Sequence, residues 1–155
     1  MQYNEEFWNK YADENESRYN KEFSKYVKDL ASSLPTVQSV LEIGCGTGID
    51  LRLFPDSFQL HGIDLNEHAL EIAKEKLSFA DFQKGNITEL PFEDSSIDFV
   101  FTHGLMNYLD DDVLKKELQR CIEYQKNGLC IVKNMKKLTN ELMRIKSFVI
   151  WEKSG

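Results

Sequence analysis

The segment Val40-Leu41-Glu42-Ile43-Gly44-Cys45-Gly46-Thr47-Gly48 constrains this chain more than any other. Short apolar runs closed by glycines read as buried strands that turn sharply. Three glycines at alternating positions supply backbone without Cβ atoms, where unusual angles and the close approach of another group are both allowed. A tight bend alone is the simpler reading of such a turn. The spacing is Gly-x-Gly-x-Gly. The pyrophosphate-binding fingerprint Gly-x-Gly-x-x-Gly would place its last glycine at position 49, which is Ile49. Glu42 lies inside the apolar strand, where an acid is costly unless it is paired or hydrogen-bonded.

The same strand-then-helix rhythm continues along the chain. Ser39–Ile43, Gln59–Asp64, Ala80–Lys84, Ile97–Thr102, Gly128–Val132 and Ser147–Trp151 read as strands. Between them, Ile49–Phe54 starts like a helix, Asn66–Leu77 is a helix with Asn66 as its cap, and Val113–Tyr124 and Lys136–Lys146 are helical. Ahead of the first strand, Phe7, Trp8, Tyr11, Tyr19, Phe23, Tyr26, Val27 and Leu30 recur at spacings of mostly three and four, which predicts one or two amphipathic helices closed by Leu34-Pro35. Strands alternating with helices predict an α/β fold: a Rossmann-like, doubly wound, mostly parallel sheet flanked by helices. Such sheets bind ligands at the carboxyl ends of their strands. We expect one domain over 1–155, with a helical cap over 1–34, a core over 37–132, and a short helix and strand over 133–155.

Charge narrows the partners. The chain carries 19 basic and 26 acidic side chains, a net charge of −7. Residues 33–132 are acidic, which argues against a nucleic-acid backbone as ligand, because phosphate binding needs a basic face. The basic end (Lys133, Lys136, Lys137, Arg144, Lys146, Lys153) reads as a solvated helix face. No uncharged apolar run reaches the ~18–20 residues of a membrane span, and Met1–Glu6 lacks a secretory start. Cys45, Cys121 and Cys130 are odd in number and unrelated in spacing, so neither a disulfide framework nor a zinc site is expected. These features predict a cytoplasmic domain without membrane or nucleic-acid partners.

The second strand ends in Gly62-Ile63-Asp64-Leu65-Asn66. A carboxylate at this tip can accept hydrogen bonds from both hydroxyls of a ribose. Its alternative role, capping the next helix, is one that Asn66 or Glu67 can also fill. Glu-x-Gly-x-Gly-x-Gly after an apolar strand, followed by this acid, resembles the class I S-adenosylmethionine-dependent methyltransferases over roughly residues 37–132. Gly85-Asn86-Ile87 and the run Pro91 to Val100 fit the same pattern. The resemblance implies S-adenosyl-L-methionine as cofactor. It further implies that Gly44, Cys45 and Gly46 line its methionine part, Glu42 supports the loop, Asp64 holds the ribose and Leu65 flanks the adenine. Asn86 and Ile87 then lie near the adenine amino group, and Tyr11 and Thr102 complete the cofactor site. Phe101 to Leu109, with the start around Glu6-Phe7-Trp8 and Tyr11, is similar to methylases associated with pseudaminic acid biosynthesis, which implies a sugar as acceptor.

His103 follows the fourth strand at the expected mouth of the site, and imidazole is the side chain suited to moving protons near neutrality. It is the candidate general base; the alternative is a histidine bound to the loop backbone or to solvent. His61 and His68 sit away from that mouth. Tyr108 and Asn107 are candidate acceptor contacts, and Tyr11 or Trp8 a candidate cover. Asp110-Asp111-Asp112 reads as an acidic helix start rather than a metal cluster. The expected function is methyl transfer to a small molecule. The alternatives are a non-catalytic S-adenosylmethionine-binding subunit that activates a partner and, disfavoured by the glycine spacing, a nicotinamide-dependent oxidoreductase. Members of the resembled family continue after the fifth strand with a helix and two strands. Only one helix and one strand fit here, so either a homodimer or partner subunit covers that sheet edge or the acceptor site is incomplete.

Overall fold

The computed structural model describes residues 4–19, 21–105, 112, 113, 116, 119, 130–133 and 148–151. Two helices, α1 (Glu5–Arg18) and α2 (Lys21–Ser33), precede strands β1 (Ser39–Ile43) and β2 (Gln59–Asp64). Helix α3 (Glu67–Lys76) and strands β3 (Asp81–Lys84), β4 (Phe99–His103), β5 (Cys130–Lys133) and β6 (Phe148–Trp151) follow. Among the described residues the sheet has six strands in the order β3-β2-β1-β4-β5-β6, and every neighbouring pair is parallel. The chain winds outward from β1 through β2 to β3, then resumes on the other side of β1 at β4. That reversal opens a crevice at the carboxyl ends of β1, β2 and β4.

The central strands are apolar on both faces, as a covered parallel sheet requires. Val40, Leu41, Ile43, Phe99, Val100 and Phe101 are all buried. Helix α2 presents Phe23, Val27 and Ala31, one helical turn apart, to a cluster that includes Leu51, Phe54, Phe99 and Phe101. Leu70 and Ala73 of α3 join the same cluster with Phe82 of β3. Asn66 caps α3 through its side chain, which accepts from the Ala69 N–H at 2.7 Å. Asp98 locks the strand starts together: its Oδ2 accepts from the Gln38 and Ser39 N–H groups and from the Ser39 hydroxyl, each at 3.0 Å.

Three expectations change. The helix expected from Ile49 is only a single 3-10 turn, Leu51–Leu53. Between Gly48 and Pro55 there are too few residues for an α-helix to repay its nucleation, and the residue before proline resists helical geometry. The fourth strand begins at Phe99 rather than Ile97 and runs through His103, because Asp98 turns its side chain back onto Gln38 and Ser39. Helix α1 is held by polar side chains beside the buried Ala12, with two of its aromatic residues left exposed. Asn9 accepts from Asn66 Nδ2 at 2.7 Å, Asp13 meets His68 at 2.7 Å, and Glu16 meets Arg52 at 2.6 Å, whereas Phe7 and Tyr11 are 39% and 36% exposed. The helix expected over 113–124 is described only at 113, 116 and 119, each helical. That expected over 136–146 lies outside the described residues, as do Asn107, Tyr108, Asp110 and Asp111.

Candidate active site

The glycine loop leaves β1 as a continuation of its ladder. The N–H groups of Gly44 and Cys45 both donate to the Ile63 carbonyl of β2, at 2.8 and 3.1 Å. Gly44 and Gly46 then take φ values of +72° and +51°, left-handed angles that a side chain disfavours. They differ in their surroundings. A Cβ on Gly44 would lie 2.9 Å from Leu105 Cβ, so this glycine is roofed by a side chain; a Cβ on Gly46 would meet nothing within 4 Å. The bare stretch of main chain is therefore at Gly46.

Asp64, at the end of β2, faces that stretch. Its Oδ2 accepts the Gly46 N–H at 2.8 Å and its Oδ1 accepts the Asn66 N–H at 2.8 Å. Burial raises the Asp64 pKa against the opposing pull of the Asn66, Gly46 and Leu65 backbone. Beside it Leu65, just past the strand, is 45% exposed. The helix-capping role is taken by Asn66, so Asp64 orients the turn instead. Cys45 and Ile87 are buried and Thr102 is fully so. The Asn86 side chain accepts from the Thr88 N–H at 3.2 Å, capping the short turn Ile87–Glu89. Tyr11 stacks on Phe7, with ring centroids 6.4 Å apart, on the outward side of α1.

His103, Glu42 and Asp50 form a second cluster, which sequence reading only partly found. His103 Nδ1 lies 2.9 Å from Asp50 Oδ2, and its ring packs 4.6 Å from that of Phe23. Asp50 Oδ1 accepts from the Tyr19 hydroxyl at 2.7 Å and from the Ser24 hydroxyl. Burial would raise the Asp50 pKa, but the hydrogen bond and charge of His103, with the Ser24 and Glu42 hydrogen bonds, hold it below the usual value. Glu42 is fully buried. Burial first, then the charge of Asp50, pushes its pKa well up. The same burial, with Asp50 beside it, pushes the Tyr19 hydroxyl far up, and burial raises the Cys45 thiol. Asp50, Tyr19 and Ser24 were missed. The available signal was an acid two residues beyond the last glycine, within an otherwise apolar turn.

Three buried oxygens in this region, Glu42 Oε2, Thr47 Oγ1 and Thr102 Oγ1, have no hydrogen-bond partner among the described residues. Native interiors rarely leave such groups unmet, since each costs about 1–3 kcal/mol. His61 lies near Phe92 and Asp81, and His68 pairs with Asp13, both apart from this cluster. No group of three or more His, Cys, Asp or Glu suited to a metal occurs among the described residues. No described helix is long and apolar enough to cross a membrane.

Residues 40–128 match the model of a methyltransferase domain. A demethylmenaquinone methyltransferase of Staphylococcus aureus is 34% identical over 129 residues, covering 72% of this chain and 52% of that protein. The chain thus spans about half the length of the curated relatives it matches. Among solved structures, a putative S-adenosylmethionine-dependent methyltransferase of Methanococcus maripaludis superposes with a TM-score of 0.66 at 16% identity, over 86% of this chain and 68% of that one. CalS10, an amino pentose methyltransferase from Micromonospora echinaspora solved with S-adenosylmethionine bound, gives 0.64 at 20% identity, over 74% and 51%. These two share the parallel, doubly wound sheet described above. With the glycine turn, the acid that ends β2 and the matched domain in register, the chain belongs to the class I S-adenosylmethionine-dependent methyltransferases.

Proposed function

We propose that the crevice binds S-adenosyl-L-methionine and that the chain passes its methyl group to a small-molecule acceptor. The observation that carries this is the Asp64 carboxylate held against the open main chain at Gly46. Each carboxylate oxygen already accepts one backbone N–H and keeps a further lone pair, so the two together suit a vicinal diol. Leu65 offers an exposed apolar face to the adenine, and Asn86 with Ile87 borders its edge. Gly46 is where the methionine part rests. Glu42, Gly44, Cys45 and Thr102 are too enclosed for wide contact and shape the floor beneath. Tyr11 contributes only by covering the entrance from α1.

When bound, the sulfonium supplies a methyl carbon that an acceptor electron pair attacks, while the carbon–sulfur pair leaves on a neutral thioether. This chain's work is mainly alignment, which accounts for much of the acceleration in such a displacement. For an acceptor that must lose a proton, His103 is the base in this reading. The acceptor class follows from the similarity of residues 101–109 to sugar-pathway methylases, and a nucleotide-linked or free sugar is the first to try.

Calorimetry tests the binding step. S-adenosylmethionine and S-adenosylhomocysteine are expected to bind 1:1. Asp64→Asn, which keeps shape but surrenders one charged acceptor, is expected to bind about 10- to 100-fold more weakly. Absence of heat with the wild type, or equal affinity in the variant, refutes the reading. Transfer of a labelled methyl group to a panel of sugars tests the acceptor. Turnover by this chain alone excludes a purely activating subunit, and a panel without turnover removes the sugar assignment.

A further inference from the structure

Apart from Glu42, the Asp50 cluster has no part in the proposed cofactor grip, yet it gathers three side chains by hydrogen bonds onto one buried carboxylate. They come from three places in the chain: Tyr19 after α1, Ser24 in α2 and His103 at the end of β4. Such convergence is costly to assemble and fixes geometry closely, because a charge this deep must be fully satisfied.

We infer that Asp50 is a positioning residue for His103: its Oδ2, 2.9 Å from Nδ1, fixes the imidazole as the Nδ1–H tautomer and leaves Nε2 as the free base. The inference rests on the reading of His103 given above. An ionised carboxylate only accepts hydrogen bonds, so the ring nitrogen facing it must carry the proton. The Tyr19 and Ser24 hydroxyls and the His103 ring, gathered on its two oxygens, favour that ionised form. The neutral ring then has one acceptor nitrogen, Nε2. Phe23, packed 4.6 Å from the ring, and Tyr19, at 6.3 Å, limit its rotation. Tyr19 and Ser24 hold the other carboxylate oxygen, so the N-terminal helices set the orientation of a group at the far end of β4. In a proton transfer, the acceptor's proton would move to Nε2 and the resulting imidazolium would stay paired with Asp50. The other ionisable groups facing the pair are Glu42, Tyr19 and, around Tyr19, Arg52; none of them competes for Nδ1.

The test reads tautomers directly. In the full-length protein labelled with nitrogen-15, long-range proton–nitrogen spectra resolve the three histidines, and His103→Gln assigns the signal in question. The wild-type His103 is expected in the Nδ1–H form at alkaline pH. Asp50→Asn is expected to move the tautomer ratio toward Nε2–H by about 10-fold or more, the weight of one hydrogen bond to a charged group. Adding S-adenosylmethionine is expected to shift the His103 Nε2 resonance more than that of His61. An Nε2–H form in the wild type overturns the inference, as does a His103 signal indifferent to the added compound. The wild-type spectrum decides even where Asp50→Asn does not fold. Calorimetry on the same sample separates the two claims: no heat from S-adenosylmethionine removes the proposed function, whereas normal binding with an Nε2–H His103 removes this inference alone.

Discussion

Gly46→Ala separates the shape of the glycine loop from its use. The wild-type backbone at this position is left-handed, with φ +51°, and a Cβ there would touch nothing within 4 Å. The protein itself therefore has no steric objection to the methyl group. What remains is backbone strain of about 1–2 kcal/mol, the cost of placing an L side chain in the left-handed region. For a chain of this size that lowers the melting temperature by about 2–8 °C. Binding should suffer separately. If the methionine part of the cofactor rests on this main chain, the added methyl group intrudes into an occupied space, costing about 1–3 kcal/mol, or about 5- to 150-fold in Kd. Gly62→Ala is the contrast. Its Cβ would lie 2.5 Å from Phe82 Cδ1 and 2.8 Å from Cys45 Sγ, inside the packed sheet. It should destabilise the protein more than Gly46→Ala does. Differential scanning calorimetry and isothermal titration on both variants provide the comparison. An affinity for S-adenosylmethionine in Gly46→Ala within twofold of the wild type, with the small stability loss intact, refutes the placement of the cofactor against Gly46.

Two further measurements address the scaffold. Asp98→Ala strips the acceptor from the Gln38 and Ser39 N–H groups and should lower the unfolding free energy in urea by about 2–5 kcal/mol; a loss below about 0.5 kcal/mol contradicts the clamp. Glu42 has a folded pKa raised above the 4.5 of the unfolded chain, so the folded state holds the extra proton. Stability then falls as pH rises above that unfolded value, by up to about 1.4 kcal/mol per unit until the folded pKa is passed. Glu42→Gln, which removes the titrating group and keeps the shape, should flatten that decline and be more stable than the wild type at pH 8. An unchanged slope shows that Glu42 is ionised in the folded protein.

Much of this architecture is legible in the order of residues, and the legible parts share a cause. Where one local pattern decides, the sequence reading succeeds: β1 and β2 are found to the residue, and Asn66 as the cap of α3 follows from a short polar side chain before a periodic run. The parallel winding follows from the alternation of strands and helices. Reading fails where distant residues compete. The helix expected at Ile49 fails for a local reason instead, the short run before Pro55, and leaves a single turn. The aromatic residues of α1 look like a core face, yet Phe7 and Tyr11 are exposed while Asn9, Asp13 and Glu16 reach Asn66, His68 and Arg52.

The sequence by itself determined the glycine turn, the acid that closes β2 and hence the family, because each is a backbone demand satisfied by residues within one strand–turn unit. Only the tertiary structure decided which glycine is bare and which lies beneath Leu105. It alone brought Tyr19, Ser24, Glu42 and His103 around Asp50. Neighbours in sequence fix torsion angles; the charge state of a buried carboxylate is fixed by whatever the folded chain delivers to it from elsewhere.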